Sequence, residues 1–330
     1  MSPASPDVAG GDERLDTADA GAILQRFEER LDPARPTAGE EPVEIIGYGE
    51  VSTVLSLGAL PQWVCKRMAG FRDAAAVERY LDAVRRYLAL LRELGVRVAE
   101  TVPVRVHPRA SGHVVYLLQP KLDPRTLGNH LLREASEAVL LACVDRVLAC
   151  VRTLLLANRT HAGGRTLTVD AQLSNWHFPV CDGEVGEPTL VDVGTPFMRL
   201  GGVDEMGIEC FLAPVPSPLR WLYRRARVVE RYIDDYFDGH ELLADLLGNF
   251  HKEGRPDRIP LVLAHVNRWI ERSGADLGVR VLEREEIDRY YRKDAQLLEL
   301  FLKLRRLDRF VRTRVLRQRY NFILPGPIRR

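Results

Sequence analysis

Pro120 divides the chain into two halves with different hydrophobic periods, and this change limits the fold more than any other feature. Before it, Val43 to Lys66, Thr101 to His107 and His113 to Gln119 are short apolar and β-branched runs of strand length. One amphipathic helix, Asp73 to Leu94, interrupts them and is stopped by Gly95. After it, Glu134 to Ala157, Leu219 to Phe237, His240 to Phe250, Ile259 to Ser273 and Glu283 to about Phe322 repeat apolar residues at helical steps. The pattern predicts an α+β chain with a small β-rich lobe, residues 41–118, and a larger helical lobe, residues 119–330. At 330 residues the chain is long enough for two lobes. Residues 1–40 read as a largely disordered acidic segment, because up to about residue 20 there is almost nothing to bury. Ile23, Leu24 and Phe27 mark a short helix within it, Ala22 to Leu31, ended by Asp32-Pro33.

Composition excludes several classes. A hydrophobic content of 46% with 28% charged residues and a net charge of +1 argues against a whole-protein nucleic-acid footprint. The charge is uneven, however: residues 1–50 sum to −8 and residues 289–330 to +10, so the two ends are expected to attract each other. The five cysteines form no C-x-x-C pair and point to neither a disulfide framework nor a zinc site, as expected of a cytoplasmic protein. No apolar run reaches the roughly 20 residues needed to span a bilayer, and no basic-then-apolar leader opens the chain.

Four short motifs follow one another. Glu44-Ile-Ile-Gly47-Tyr-Gly49-Glu-Val-Ser52-Thr-Val54 reads as strand, glycine turn, strand; Trp63-Val-Cys-Lys66 places a lysine in the next strand. Asp170 and Asn175 stand five residues apart, and Asp192 precedes Gly194 by two. Each has a bland reading. The glycines suit a hairpin turn, Lys66 suits an edge strand that reaches solvent, and the Asx residues suit loop capping. Their order is what favours chemistry.

In that order the motifs resemble the protein-kinase-like superfamily, and in their shortened form they are similar to aminoglycoside and choline phosphotransferases more than to protein kinases. The resemblance covers roughly residues 43 to 200 and implies a two-lobed protein-kinase-like fold. It implies that amides of the Gly47, Gly49 and Ser52 turn, with Ser52 in place of a third glycine, approach the phosphates of ATP, and that Lys66 supplies a point charge to them. Lys66 would pair with Glu78 on the next helix, Glu93 being the fallback. The adenine would meet the backbone near Gln119, between Leu118 and Lys121. Asn175 and Asp192 would hold Mg²⁺, and Asp170 would take the proton of the attacking hydroxyl. The acceptor would be a small hydroxylated metabolite.

The chain departs from the pattern at two places. Thr168-Val169 replaces the usual His-Arg or His-Gly pair, so the scaffold around Asp170 must differ, and no A-P-E sequence follows Asp192. Two short strands around Asp182-Gly183 should bring Asn175 and Asp192 together. His161 and His177 read as structural or solvated, since Asp170 already supplies a base. Asp234, Asp235 and Asp238 read as a solvated face before a site for a cationic substrate. The basic run Arg305 to Arg319, interleaved with Leu304, Leu307, Val311 and Val315, reads as a packed helix with a charged outer face; an anionic substrate, nucleic acid, a lipid surface or a protein partner would use the same stripe. A nucleotide-binding pseudoenzyme and an adenylyl transferase are the alternatives that the same motifs leave open.

Overall fold

Val43–Tyr48 (β1), Ser52–Leu57 (β2), Trp63–Phe71 (β3), Val102–Val106 (β4) and His113–Pro120 (β5) form one antiparallel sheet in the order β1-β2-β3-β5-β4. The computed structural model describes residues 16–49, 52–160, 164–205, 225, 227–273 and 275–326. Alternation sorts the strands onto two faces. Cys65, Val114, Tyr116 and Leu118 point to one side, and Met68, Val115 and Leu117 to the other.

The outer face is covered by Thr17–Arg30 (α1), whose Ala20, Leu24 and Phe27 are buried. Asp16 caps this helix by accepting from Ala18 N and Asp19 N. The expectation that residues 1–40 are largely disordered is therefore corrected from Asp16 onward: the helix begins five residues earlier than its apolar run suggested and packs on the sheet. Residues 1–15 of that segment lie outside the described residues. The inner face packs on Ala74–Glu93 (α2) and on the helical half of the chain.

That half contains Gly128–Glu134 (α3), Glu137–Thr160 (α4), Val228–Phe237 (α5), Gly239–Lys252 (α6), Ile259–Ser273 (α7) and Arg284–Phe310 (α8). The architecture is thus mixed α+β, a β-rich N-terminal region followed by a helical C-terminal one. Between α4 and α5 run short strands: Arg165–Leu167 (β6), Trp176–His177 (β7), Val180–Cys181 (β8), Glu184–Val185 (β9), Thr189–Leu190 (β10), Met198–Leu200 (β11) and Val203–Asp204 (β12). Asp182 and Gly183 both adopt positive φ, 51° and 82°, so Asp-Gly closes the β8–β9 hairpin as its sequence predicts. Among the described residues no helix is long and apolar enough to cross a membrane.

The last helix ends earlier than its sequence suggests. The regular α-helix stops at Phe310, a wider turn covers Val311–Val315, and Arg317 takes a positive φ of 53°. No glycine or proline marks this stop. Tertiary contacts supply it instead, because Tyr320, Phe322 and Ile323 are buried, Ile323 within the cluster under α1. One hydrogen-bonded set joins the chain's two ends to the sheet. Arg67 donates to both oxygens of Glu28 on α1 and to Asn321 O at 2.7 Å, Tyr116 donates to Glu28 at 2.6 Å, and Asn321 donates to Ser111 O. The two end segments thus meet at the sheet, α1 through Glu28 and the C-terminal segment through Asn321, and Arg319 donates directly to Leu31 O.

Candidate functional site

A cavity of about 370 Å³ opens between the β1–β2 hairpin and the helical region. Gly49, Ser52, Lys66, Asp170, Asn175 and Asp192 all line it, which brings six of the nine singled-out residues together. Ligand pockets start at about this size, ~300 Å³. Gly49 N donates to Ser52 O, and a Cβ on Gly49 would lie 2.5 Å from Ser52 Oγ, so any larger residue there would force the Ser52 hydroxyl to turn away. Glu50 and Val51 lie outside the described residues.

Lys66 reaches the cavity from β3 and forms an ion pair with Asp192. Asp192 Oδ1 also accepts from Gly194 N at 3.3 Å. Burial pushes the Asp192 carboxyl up, but the charge and hydrogen bond of Lys66 outweigh it and hold the group below its ordinary value. Gly194 is required for this approach, since a Cβ there would stand 2.9 Å from both Cε and Nζ of Lys66.

The loops bearing Asn175 and Asp192 are stitched together by β7 and β10, then by Val191 N donating to Asn175 O at 2.9 Å. Asp170 stands on the adjoining loop and accepts from Gln172 N at 3.0 Å. Burial, then the charge of Asp245, raises its carboxyl to about 8; Lys252 and the Gln172 amide oppose this, and Asp192 adds to it. Two carboxyl groups on one cavity are thus pushed apart, Asp192 towards the ionised form and Asp170 towards the protonated one.

The remaining three residues stand elsewhere. Glu78 pairs with Arg105 of β4, so the expected Lys66–Glu78 pair is corrected: Glu78 on α2 reaches the β4 edge, and Lys66 takes Asp192 instead. Glu93, the fallback, is exposed at the far end of α2. Gly47 lies within β1 opposite Val54 and does not line the cavity. Gln119 is the penultimate residue of β5, and its amide donates to Val191 O at 2.8 Å and Thr101 Oγ1 at 3.1 Å, tying the sheet to the Asp192 loop.

Two tyrosines of α2 do the fastening that the glutamate was expected to do. Tyr80 OH donates to Gly194 O and Tyr87 OH to Thr168 O, each at 2.8 Å, so one face of a helix holds both loops. Thr168, where a histidine was missing, donates to Tyr236 O at 2.7 Å while its own N donates to Phe197 O.

The sequence reading also missed a polar face on α6. Asp245 and Asn249 are buried, and with Lys252 they follow one another at helical steps among Leu242, Leu243, Leu246, Leu247 and Phe250. That periodic polar intrusion was the available signal. Gln172 donates to Asp245 at 2.8 Å, Ser174 N to Asn249, and Asn249 to Ser174 Oγ. Lys252 sits between Asp245 at 3.6 Å and Asp294 of α8 at 3.2 Å. Burial lowers the pKa of Lys252, but Asp245, Asp294 and Asp170 together raise it above the usual lysine value.

Asp234 pairs with Arg199, Asp235 with Lys293, and Asp238 caps α6, so these acids serve the fold. His177 pairs with Thr189 outside the cavity, and His161 lies outside the described residues. Among the described residues, no three His, Cys, Asp or Glu side chains form a metal cage. Mg²⁺ needs no such cage, because it takes one or two protein oxygen ligands and completes its shell with phosphate and water. Asn175 and the Asp192 carboxylate are hard oxygen donors of that kind on the cavity wall. No curated protein matches the chain. A family model described as a family of unknown function, DUF6206, matches residues 26–309, and the chain belongs to that family.

Proposed function

We propose that the chain is an ATP- and Mg²⁺-dependent phosphotransferase of protein-kinase-like type that acts on a hydroxyl of a small metabolite. One observation carries the reading: Lys66, Asp192, Asn175 and Asp170, drawn from three separate segments, line a single cavity beneath a glycine turn. The order and the convergence together are hard to obtain from loop capping alone.

Under this reading Gly49 and Ser52 present backbone to the phosphates, and Lys66 turns from Asp192 towards them. Asn175 and Asp192 would hold Mg²⁺, which supplies neutralisation of phosphate charge. Asp170 orients the acceptor hydroxyl and accepts its proton as the hydroxyl oxygen bonds to phosphorus and the bond to the leaving diphosphate breaks. Positioning and charge stabilisation are the main part of the protein's contribution, with proton acceptance by Asp170 beside them. Tyr232, Tyr236, Leu298, Leu302 and Asp294 line the cavity beyond Asp170 and form the acceptor side. Localisation in the cytoplasm, where ATP is held, goes with the same reading.

The test is incubation of the pure chain with γ-labelled ATP, Mg²⁺ and a fractionated cell extract. Label in a metabolite fraction is the expected result. Label transferred only from α-labelled ATP would make the chain an adenylyl transferase, and nucleotide binding without any transfer would make it a pseudoenzyme.

A further inference from the structure

The C-terminal end of α8 carries an exposed face that the cleft does not use. Leu300, Leu307, Phe310, Val311, Val315 and Leu316 are 36% to 65% exposed, while Leu302, Arg305 and Asp308 on the opposite side are buried. Leu300, Leu307, Phe310 and Val311 fall at helical steps along one side. Nothing among the described residues covers them.

The charge around this stripe is one-sided. From Leu300 to Arg317 there are seven Lys or Arg residues and one acid, Asp308, which is buried and paired with Arg312. Lys303 pairs with Glu299, and Arg306 donates to the carbonyl of Gly326 at 3.0 Å. Arg309, Arg314 and Arg317 meet no carboxylate among the described residues.

We propose that Leu300 to Arg317 is a docking surface for an anionic lipid bilayer. Apolar and basic groups on the same exposed face are what a bilayer interface accepts together, Leu, Phe and Val below the headgroups and Arg at their phosphates. The other occupants fit less well. Nucleic acid offers phosphates to the arginines but a polar, hydrated surface to six apolar side chains. A second copy of the chain would join by a two-fold contact that sets the arginines of one face against those of its twin. A bilayer satisfies both halves of the surface.

This inference does not depend on the reading of the cleft, but it bears on it. Leu298, Leu302 and Arg305 of the same helix line the cavity, so docking through the outer side of α8 holds the cavity close to the lipid surface.

The experiment is sedimentation of the full chain with extruded vesicles of phosphatidylcholine alone and of phosphatidylcholine mixed with phosphatidylglycerol. The chain should pellet with the mixed vesicles only, and salt should release it. Arg314→Gln with Arg317→Gln should weaken partitioning about thirtyfold, roughly fivefold for each basic residue near the surface. Leu307→Ser with Phe310→Ser should also release the chain, whereas Arg314→Lys with Arg317→Lys should keep it bound. All of these positions are solvent-facing, and unchanged melting temperatures would confirm that the variants fold. Failure to pellet with the mixed vesicles overturns the proposal, as does pelleting that survives both pairs of loss variants. A dimer in gel filtration that Phe310→Ser dissolves overturns it too, by assigning the stripe to a second copy.

Discussion

Lys66 and Asp192, 126 residues apart in sequence, form an ion pair across the cleft, and Gly194 is the residue whose lack of a side chain lets them meet. The pair places the lysine where a phosphate would draw it and leaves the carboxylate ionised for a metal. It also frees Glu78, which belongs to Arg105. Glu78→Gln should therefore leave the stabilisation by ATP and Mg²⁺ nearly intact, about 2.7 kcal/mol at a hundredfold excess over the dissociation constant. Lys66→Met should remove most of it. Thermal melts with and without nucleotide check both, and a loss in Glu78→Gln equal to that in Lys66→Met would restore the pairing expected from sequence.

Tyr80 and Tyr87 fix the two loops through their hydroxyls. Tyr80→Phe and Tyr87→Phe each remove one hydrogen bond to a buried carbonyl, at a cost of about 1 kcal/mol or somewhat more. Transfer should fall further than this stability change accounts for, because Gly194 and Thr168 adjoin the metal-binding and proton-accepting residues. Equal, small losses in stability with full activity would show that the tyrosines serve packing alone.

Asp170 gives the site its pH dependence. Its carboxyl is raised from 3.8 to about 8, so the folded chain holds the proton more tightly than the unfolded chain does. The stability this contributes is complete below the unfolded value and is lost as pH rises through the folded one. Asp170→Asn should flatten that loss in melts taken between these two values. A base must be deprotonated to act, so kcat/KM should climb with pH through the same window. Lys252 lowers the Asp170 pKa, and Lys252→Met should move the limb to higher pH; a limb that does not move would separate Asp170 from the base role.

Glu28 and Arg67 are buried and paired, and they carry α1, β3 and the C-terminal segment on one set of hydrogen bonds. Arg67→Met strands a buried carboxylate and should cost about 3–5 kcal/mol, read by denaturant titration. Deleting residues up to Asp19 removes the Asp16 cap and should cost about 1 kcal/mol. Deleting to Leu31 also removes Leu24 and Phe27, whose burial on the sheet contributes about 1.5–3 kcal/mol each. No change on either deletion would place α1 outside the folding unit.

The strands were legible because β-branched alternation and Gly95 act locally, and Asp170, Asn175 and Asp192 because their order and spacing follow motifs that the chain resembles. Glu78, Glu28 and Lys252 were not, for a common reason. The partner of a charged side chain is set by which faces meet in three dimensions, and no local period records that Arg105, Arg67 or Asp294 would be the residue waiting there. The end of α8 was hidden in the same way, since buried Tyr320, Phe322 and Ile323, and not a breaker, take the chain out of the helix. Asp245, Asn249 and Lys252 were legible in principle as polar positions recurring on an apolar helix.

Calorimetric titration of ATP into the wild type, Asp192→Asn and Asp170→Asn, each with Mg²⁺ and with a chelator, tests the central assignment most directly. The account predicts metal-dependent binding to the wild type, near-complete loss in Asp192→Asn, and binding close to wild type in Asp170→Asn, whose transfer drops by about 10² or more. ATP that fails to bind the wild type, that binds it equally well with Mg²⁺ and with chelator, or that binds Asp192→Asn as tightly as the wild type with Mg²⁺ present, would contradict it.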